Sequence, residues 1–225
     1  MEATLEFFRG LKANNDRAWF DAHRKEYESS KKRFEQFCQN LISGLESVDS
    51  GVVASRLQAK DCTFRIFRDV RFSKNKDPYK TNYFGYFARD GRKSIYAGYY
   101  FCVEPEGESF FGGGIYMPEP PQLAKVRQEI AYCTEEFKTI IQAPAFLQTF
   151  PDGLKTTERL SRPPQGYEAT HPAIEYLKQK SFFTSKPLSD AEVCAADLQE
   201  KILAGFQTVA PLVHFINRAL EPIED

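Results

Sequence analysis

The stretch TNYFGYFARDGRKSIYAGYYFCVE, residues 81–104, narrows the architectures open to this chain more than any other. Aromatic side chains run on both sides of Asp90-Gly91, a dipeptide favoured in two-residue type I′ hairpins because both central residues take positive φ. A turn centred there sets an antiparallel register in which paired residue numbers sum to 181. Tyr83 then faces Gly98 and Tyr96 faces Gly85, placing an aromatic ring opposite each weak glycine position. EPEG at 104–107 predicts a second tight turn, with ESFFGGGIYM as the returning strand. CTFRIFRDVRF and GVVASRL are read as further strands. The expectation is a largely antiparallel sheet of four or five strands over about residues 52–117. The glycines Gly112, Gly113 and Gly114 mark a bulge or a close approach by another backbone or a ligand, tight packing under Tyr99 or Tyr100 being the simpler reading.

On either side of this block the apolar spacing is helical. Leu5, Phe8 and Leu11 share one face of a short helix capped by Thr4. Phe20, Tyr27, Phe34, Cys38, Leu41 and Leu45 repeat along a helix from about Asp16 to Leu45, with His23 as a helix-boundary residue. After MPEPPQ, helices are predicted from about Pro121 to Tyr132, from Thr134, and within HPAIEYLKQK. SFFTSKP reads as a late strand. SDAE at 189–192 matches a capping box, with Ser189 as cap and Glu192 at the third position. A last helix carries Leu198, Ile202, Phe206, Val209, Val213 and Ile216 and is expected to bend at Pro211. Helices, then sheet, then helices, without repeat or linker, predict one α+β domain over residues 1–225, with the sheet packed by N-terminal and C-terminal helices.

Composition removes several function classes. The chain carries 30 Lys and Arg against 31 Asp and Glu, a net charge of −1, so any polyanion must be met by a local patch rather than by the whole surface. The five cysteines show no CxxC pair, so reduced thiols are expected, without a disulfide framework or zinc knuckle. No apolar run reaches membrane length and MEATLEFFRGL is not a signal peptide, so the chain reads as cytoplasmic, with no membrane partner. His23, His171 and His214 are far apart, and no metal or other cofactor is expected. There is no Walker loop, no GxGxxG and no HExxH. GESFFG has one residue too many for a nucleophile elbow, so Ser109 gains no support as a nucleophile.

One segment stands out against this background. FRIFRDVRFSKNKDPYKTN, residues 64–82, holds six basic residues and two acids in a chain of net charge −1. As a strand over 64–72 it places Arg68 on the face of Phe64, Ile66, Val70 and Phe72. Arg68 is therefore expected to be mostly buried and held by backbone carbonyls or by a carboxylate such as Glu104 or Glu108. Arg65, Arg71, Lys74 and Lys80 are expected to form an anion-binding patch, because guanidinium and ammonium groups at one strand end suit phosphate and carboxylate. Tyr79, Tyr83 and Tyr96 are the candidates to stack on a bound base. The bland alternative is a solvated charged strand with one buried ion pair.

These residues also carry a resemblance. The segment 64–82, together with EPEGESFFGGGIYMPEPPQLAKVRQEI, HPAIEYLKQKSFFTSKPLSD and FINRAL, resembles the matching blocks of a mainly bacterial family of conserved hypothetical proteins, catalogued as a domain of unknown function. The likeness extends from FFRGLKANNDRAWFDAHRKEY to the C-terminus and implies one full-length domain. It implies no reaction and no site residue. Three readings therefore stand: a binding module for a phosphorylated ligand or nucleic acid, an enzyme acting on a small anionic substrate, and a protein–protein adaptor. No nucleophile–base pair in the sequence favours the second.

Overall fold

A computed structural model of the chain describes residues 1–222. The elements are α1 (Glu2–Ala13), α2 (Arg17–Ala22), α3 (Arg24–Leu45), α4 (Ser50–Ala54), α5 (Ala59–Cys62), β1 (Tyr83–Phe87), β2 (Gly98–Val103) and β3 (Ser109–Ile115). They continue with α6 (Pro120–Tyr132), α7 (Thr134–Ile141), α8 (Pro144–Thr149), α9 (Ile174–Leu177), β4 (Phe182–Leu188), α10 (Asp190–Cys194) and α11 (Leu198–Leu220). The fold is α+β, with one antiparallel sheet in the order β1-β2-β3-β4. The late strand at SFFTSKP is β4.

Two expected strands are not strands. GVVASRL enters α4, because Asp49 accepts from the backbone N–H of Gly51 (2.9 Å) and Val52 (3.2 Å) and so starts a helix. CTFRIFRDVRF is irregular beyond Cys62, touching the rest of the backbone only through isolated bridges. The Asp90-Gly91 register also fails. Both residues do take positive φ, +66° and +78°, but a 3-10 turn over Gly91–Lys93 follows and β2 starts only at Gly98. Tyr83 opens β1 and Gly98 opens β2, so in an antiparallel pair they stand at opposite ends. The EPEG turn does join β2 to β3, with Glu106 and Gly107 both left-handed.

The described chain divides into two compact units. The first comprises Met1–Arg92, Tyr100–Phe111 and Pro187–Leu203; the second comprises Lys93–Tyr99, Gly112–Lys186 and the chain from Ala204 on. In the first, the apolar stripes of α1 and α3 cover one face of the strands. Tyr83 packs edge-on to Phe8 at 4.6 Å and stacks on Phe34 at 5.0 Å, and Phe34 meets Phe101 at 6.2 Å. Gly85 is needed here because a Cβ would lie 3.3 Å from the Cys38 sulfur and 2.9 Å from the Phe87 ring. Thr4 is buried inside α1 and does not cap it. The long helix expected from Asp16 breaks at His23, whose Nδ1 lies 2.8 Å from the Trp19 carbonyl and whose ring stacks on Trp19. Asp190 ties the β2–β3 turn to α1. It accepts from Glu106 N (3.1 Å), Gly107 N (2.9 Å) and the Arg9 guanidinium (2.6 Å). Burial works to raise the Asp190 carboxyl, but these three donors outweigh it and hold the group below its ordinary value. The Ser189–Glu192 capping box forms as expected, at the start of the short α10.

In the second unit Phe137 is the centre of packing, 5.2 Å from Tyr176 and 5.3 Å from Phe215. Arg218 forks onto Glu136 (2.8 and 3.0 Å) and reaches Glu129 at 2.7 Å. Asn217 on α11 pairs with both backbone groups of Ala97, at 2.7 and 3.1 Å. The glycine run serves close approach. A Cβ on Gly113 would meet the Val209 side chain at 2.7 Å, and one on Gly114 would lie 2.2 Å from the Phe182 carbonyl oxygen. All five cysteines are free, with Cys38, Cys62 and Cys102 buried. Burial pushes the Cys62 thiol up to about 12, which makes it a poor nucleophile.

Gly114 also has φ +122°, so Gly114→Ala combines a forbidden conformation with a backbone clash. It should lower stability by at least about 3 kcal/mol. Gly107→Ala, at φ +78° with nothing within 4 Å, should cost only about 1 kcal/mol. Urea denaturation of both variants measures the contrast.

Candidate functional site

The basic segment forms an arm. From Thr63 the chain leaves α5 extended, turns through 69–77, and returns beside itself into β1. Phe64 N donates to Phe84 O (3.3 Å), Lys80 N to Ile66 O (2.8 Å) and Arg68 N to Pro78 O (2.9 Å). Thr63 bridges Gly85 and Phe67 bridges Tyr79, both antiparallel. The pairing sum drops by two between these bridges, so the returning limb carries two extra residues near Thr81 and Asn82. Glu104 holds that bulge, accepting from Thr81 Oγ1 (2.7 Å) and Asn82 Nδ2 (3.0 Å).

The returning limb is pinned again at Tyr79. The Asn15 side-chain amide donates to Tyr79 O and accepts from Tyr79 N, both at 3.1 Å, so it acts as a one-residue strand partner. The Tyr79 ring stacks on Phe20 at 4.1 Å with an interplanar angle of 13°. Ile66 is buried below. The arm therefore has a fixed base and an exposed turn.

The expected stacking residues are core. Tyr79 and Tyr83 are buried with their faces against Phe20 and Phe34, and Tyr96, in the second unit, is buried as well. Burial raises the Tyr83 phenol well above its ordinary value. Three buried rings offer no face to a base. The aromatic rings at the surface of the arm are phenylalanines: Phe72 is 95% exposed, Phe67 48% and Phe64 37%. At the base of the arm Phe64 continues into half-buried Phe84 (5.7 Å), which meets Tyr100 (6.0 Å) and Phe110 (6.2 Å). Phenylalanine in an apolar run reads as core, which is why these rings escaped a reading by alternation.

The cations divide by their partners. Arg71 is held bidentately by Asp69, at 3.0 and 2.7 Å. The hydrogen bonds from Arg71 in turn hold the Asp69 carboxyl below its ordinary value. Arg68 is half-buried rather than buried. It has Asp77 at 3.9 Å and the Ser73 hydroxyl at 3.5 Å, not Glu104 or Glu108. Lys76 donates to the Val70 carbonyl at 3.0 Å. Arg65, Lys74 and Lys80 have no acidic partner within 4 Å among the described residues. Lys80 is half-buried with its ammonium 5.5 Å from the Phe64 ring centroid. Burial, and then the nearby Arg65 charge, lower the Lys80 ammonium below its ordinary value. Of the expected patch, Arg65 and Lys80 come together at the base, Lys74 lies on the turn, and Arg71 is neutralised.

Ser109 is buried, accepting from Glu104 N and donating to Glu104 O at the turn. Among the described residues no group of three or more His, Cys, Asp and Glu side chains is placed to hold a metal ion, and no helix is long and apolar enough to cross a membrane.

These features define an α+β protein with a cationic, aromatic arm ahead of its sheet. The chain belongs to a family described as conserved hypothetical protein (DUF2461), whose model matches residues 3–215. No curated protein and no solved structure matches it.

Lys80 tests the electrostatics. Its folded pKa is lowered, so the strain is fully present below that value and is relieved as pH rises toward the ordinary 10.5. Lys80→Met should raise the melting temperature at pH 7 by about 1–3 °C, and Arg65→Gln should raise the Lys80 pKa read by NMR. Arg68→Met, which removes only a long and partly solvated pair, should cost no more than about 1 kcal/mol in the same melts.

Proposed function

We propose that the protein binds a phosphorylated ligand through Arg65 and Lys80 at the base of the arm. The observation that carries this reading is the pair itself. Two cations lie near enough for one to lower the other's pKa, one of them is half-buried, and neither has an acidic partner among the described residues. Folding gains nothing from holding like charges together. An anion between them removes the repulsion and compensates the desolvation. Phosphate suits the pair, because it accepts from a guanidinium and an ammonium at once. Phe64, Phe84 and Phe110 lie alongside and supply apolar surface for the rest of the ligand. We place this activity in the bacterial cytoplasm, a compartment that keeps five unpaired thiols reduced.

The test is isothermal titration with inorganic pyrophosphate and a panel of nucleoside mono- and triphosphates. The double variant Arg65→Gln with Lys80→Gln should bind at least tenfold more weakly, about 1.4 kcal/mol, while its melting temperature does not fall. Asp69→Asn releases Arg71 and should strengthen binding. Wild-type protein that takes up none of these ligands, or a double variant that binds equally, overturns the reading.

A further inference from the structure

We infer that the ligand of the arm is a single-stranded nucleic acid several nucleotides long. The inference rests on the Arg65–Lys80 reading and extends it along the turn. Its first support is the charge left after local pairing. Of the six cations in 64–82, Asp69 takes Arg71 and Asp77 lies 3.9 Å from Arg68. Arg65, Lys74, Lys76 and Lys80 have no carboxylate within 4 Å among the described residues. One phosphate is served by the two at the base. Lys74 and Lys76 lie on the exposed turn, beyond the paired limbs, and a ligand that uses all four must extend along the arm.

The second support is the rings. Phe64, Phe67 and Phe72 are exposed on the same excursion that carries the cations. A single strand alternates phosphates with flat bases, and both halves of that pattern find a counterpart here. A duplex keeps its base faces stacked internally and leaves the phenylalanines without a partner. A lipid surface is met by rings gathered at one tip, whereas Phe64 stands at the base of the arm against Phe84. The amides that read base edges are already engaged. Asn75 Oδ1 accepts from Asp77 N (2.8 Å) and Asn82 donates to Glu104 (3.0 Å). The strand is therefore bound with little sequence preference.

Fluorescence anisotropy with labelled oligothymidylates of three, six and twelve nucleotides tests this, alongside a duplex and phosphatidylglycerol vesicles. Affinity should rise with length before levelling, with a salt slope of about −3 for four phosphates. Lys74→Gln with Lys76→Gln should reduce that slope by about 1.4. Phe72→Ser should weaken binding by roughly fivefold or more and leave the slope unchanged. These residues are exposed, and unchanged melting temperatures check that each variant folds. If the trimer binds as well as the twelve-mer, or the turn variants bind like wild type while Arg65→Gln with Lys80→Gln does not, the ligand is small. The extended strand is then overturned and the anion site at the base survives. Equal binding by the base variant overturns both. Stronger binding to duplex or vesicles overturns the single strand.

Discussion

The stacking of Tyr79 on Phe20 joins the N-terminal helices to the returning limb of the arm, and the position of Lys80 beside it follows from that contact. Without that contact 64–82 is a charged loop free to solvate. With it, and with Asn15 pairing the Tyr79 backbone, Lys80 is carried next to Ile66 and Phe64 instead of into water. The helices earlier in the chain thus fix the electrostatics of a segment sixty residues later.

The arm departs from what folding alone rewards. A half-buried ammonium beside a guanidinium works against stability, and Phe72 is left almost wholly in solvent. Other charged groups and turns are better satisfied. Asp190 is satisfied by three donors, Arg218 has two carboxylates, and the β2–β3 turn uses left-handed residues where it needs them. Such departures are the ground on which the ligand reading of the arm is proposed.

The hairpin shows why a local signal can be right and still mislead. Asp90 and Gly91 take the positive φ that their propensity demands. Yet a Cβ at Gly91 would lie 2.8 Å from the Asp61 carbonyl oxygen, so this glycine also admits the backbone of α5. Propensity sets dihedral angles; strand pairing depends on which backbones compete for the same partners. The Ser189 capping box and the EPEG turn, each closed within a few residues, formed, although the Thr4 cap did not. Two signals that needed a distant partner failed. Arg68 found Asp77 rather than a sheet carboxylate, and the tyrosines chosen for stacking went to the core.

The sequence by itself determined the helix–sheet–helix class, the Ser189 capping box and the excess of positive charge in 64–82, because each depends on composition or on spacing within a turn or two. Only the tertiary structure decided which of those charges remain. Asp69 neutralises Arg71 where the chain bends, its carboxylate accepting from both the Arg71 backbone N–H and the guanidinium. The limb that carries Lys80 folds back on Ile66, and no carboxylate among the described residues lies within 4 Å of its ammonium. Charge is a property of residues; its compensation is a property of the space around them.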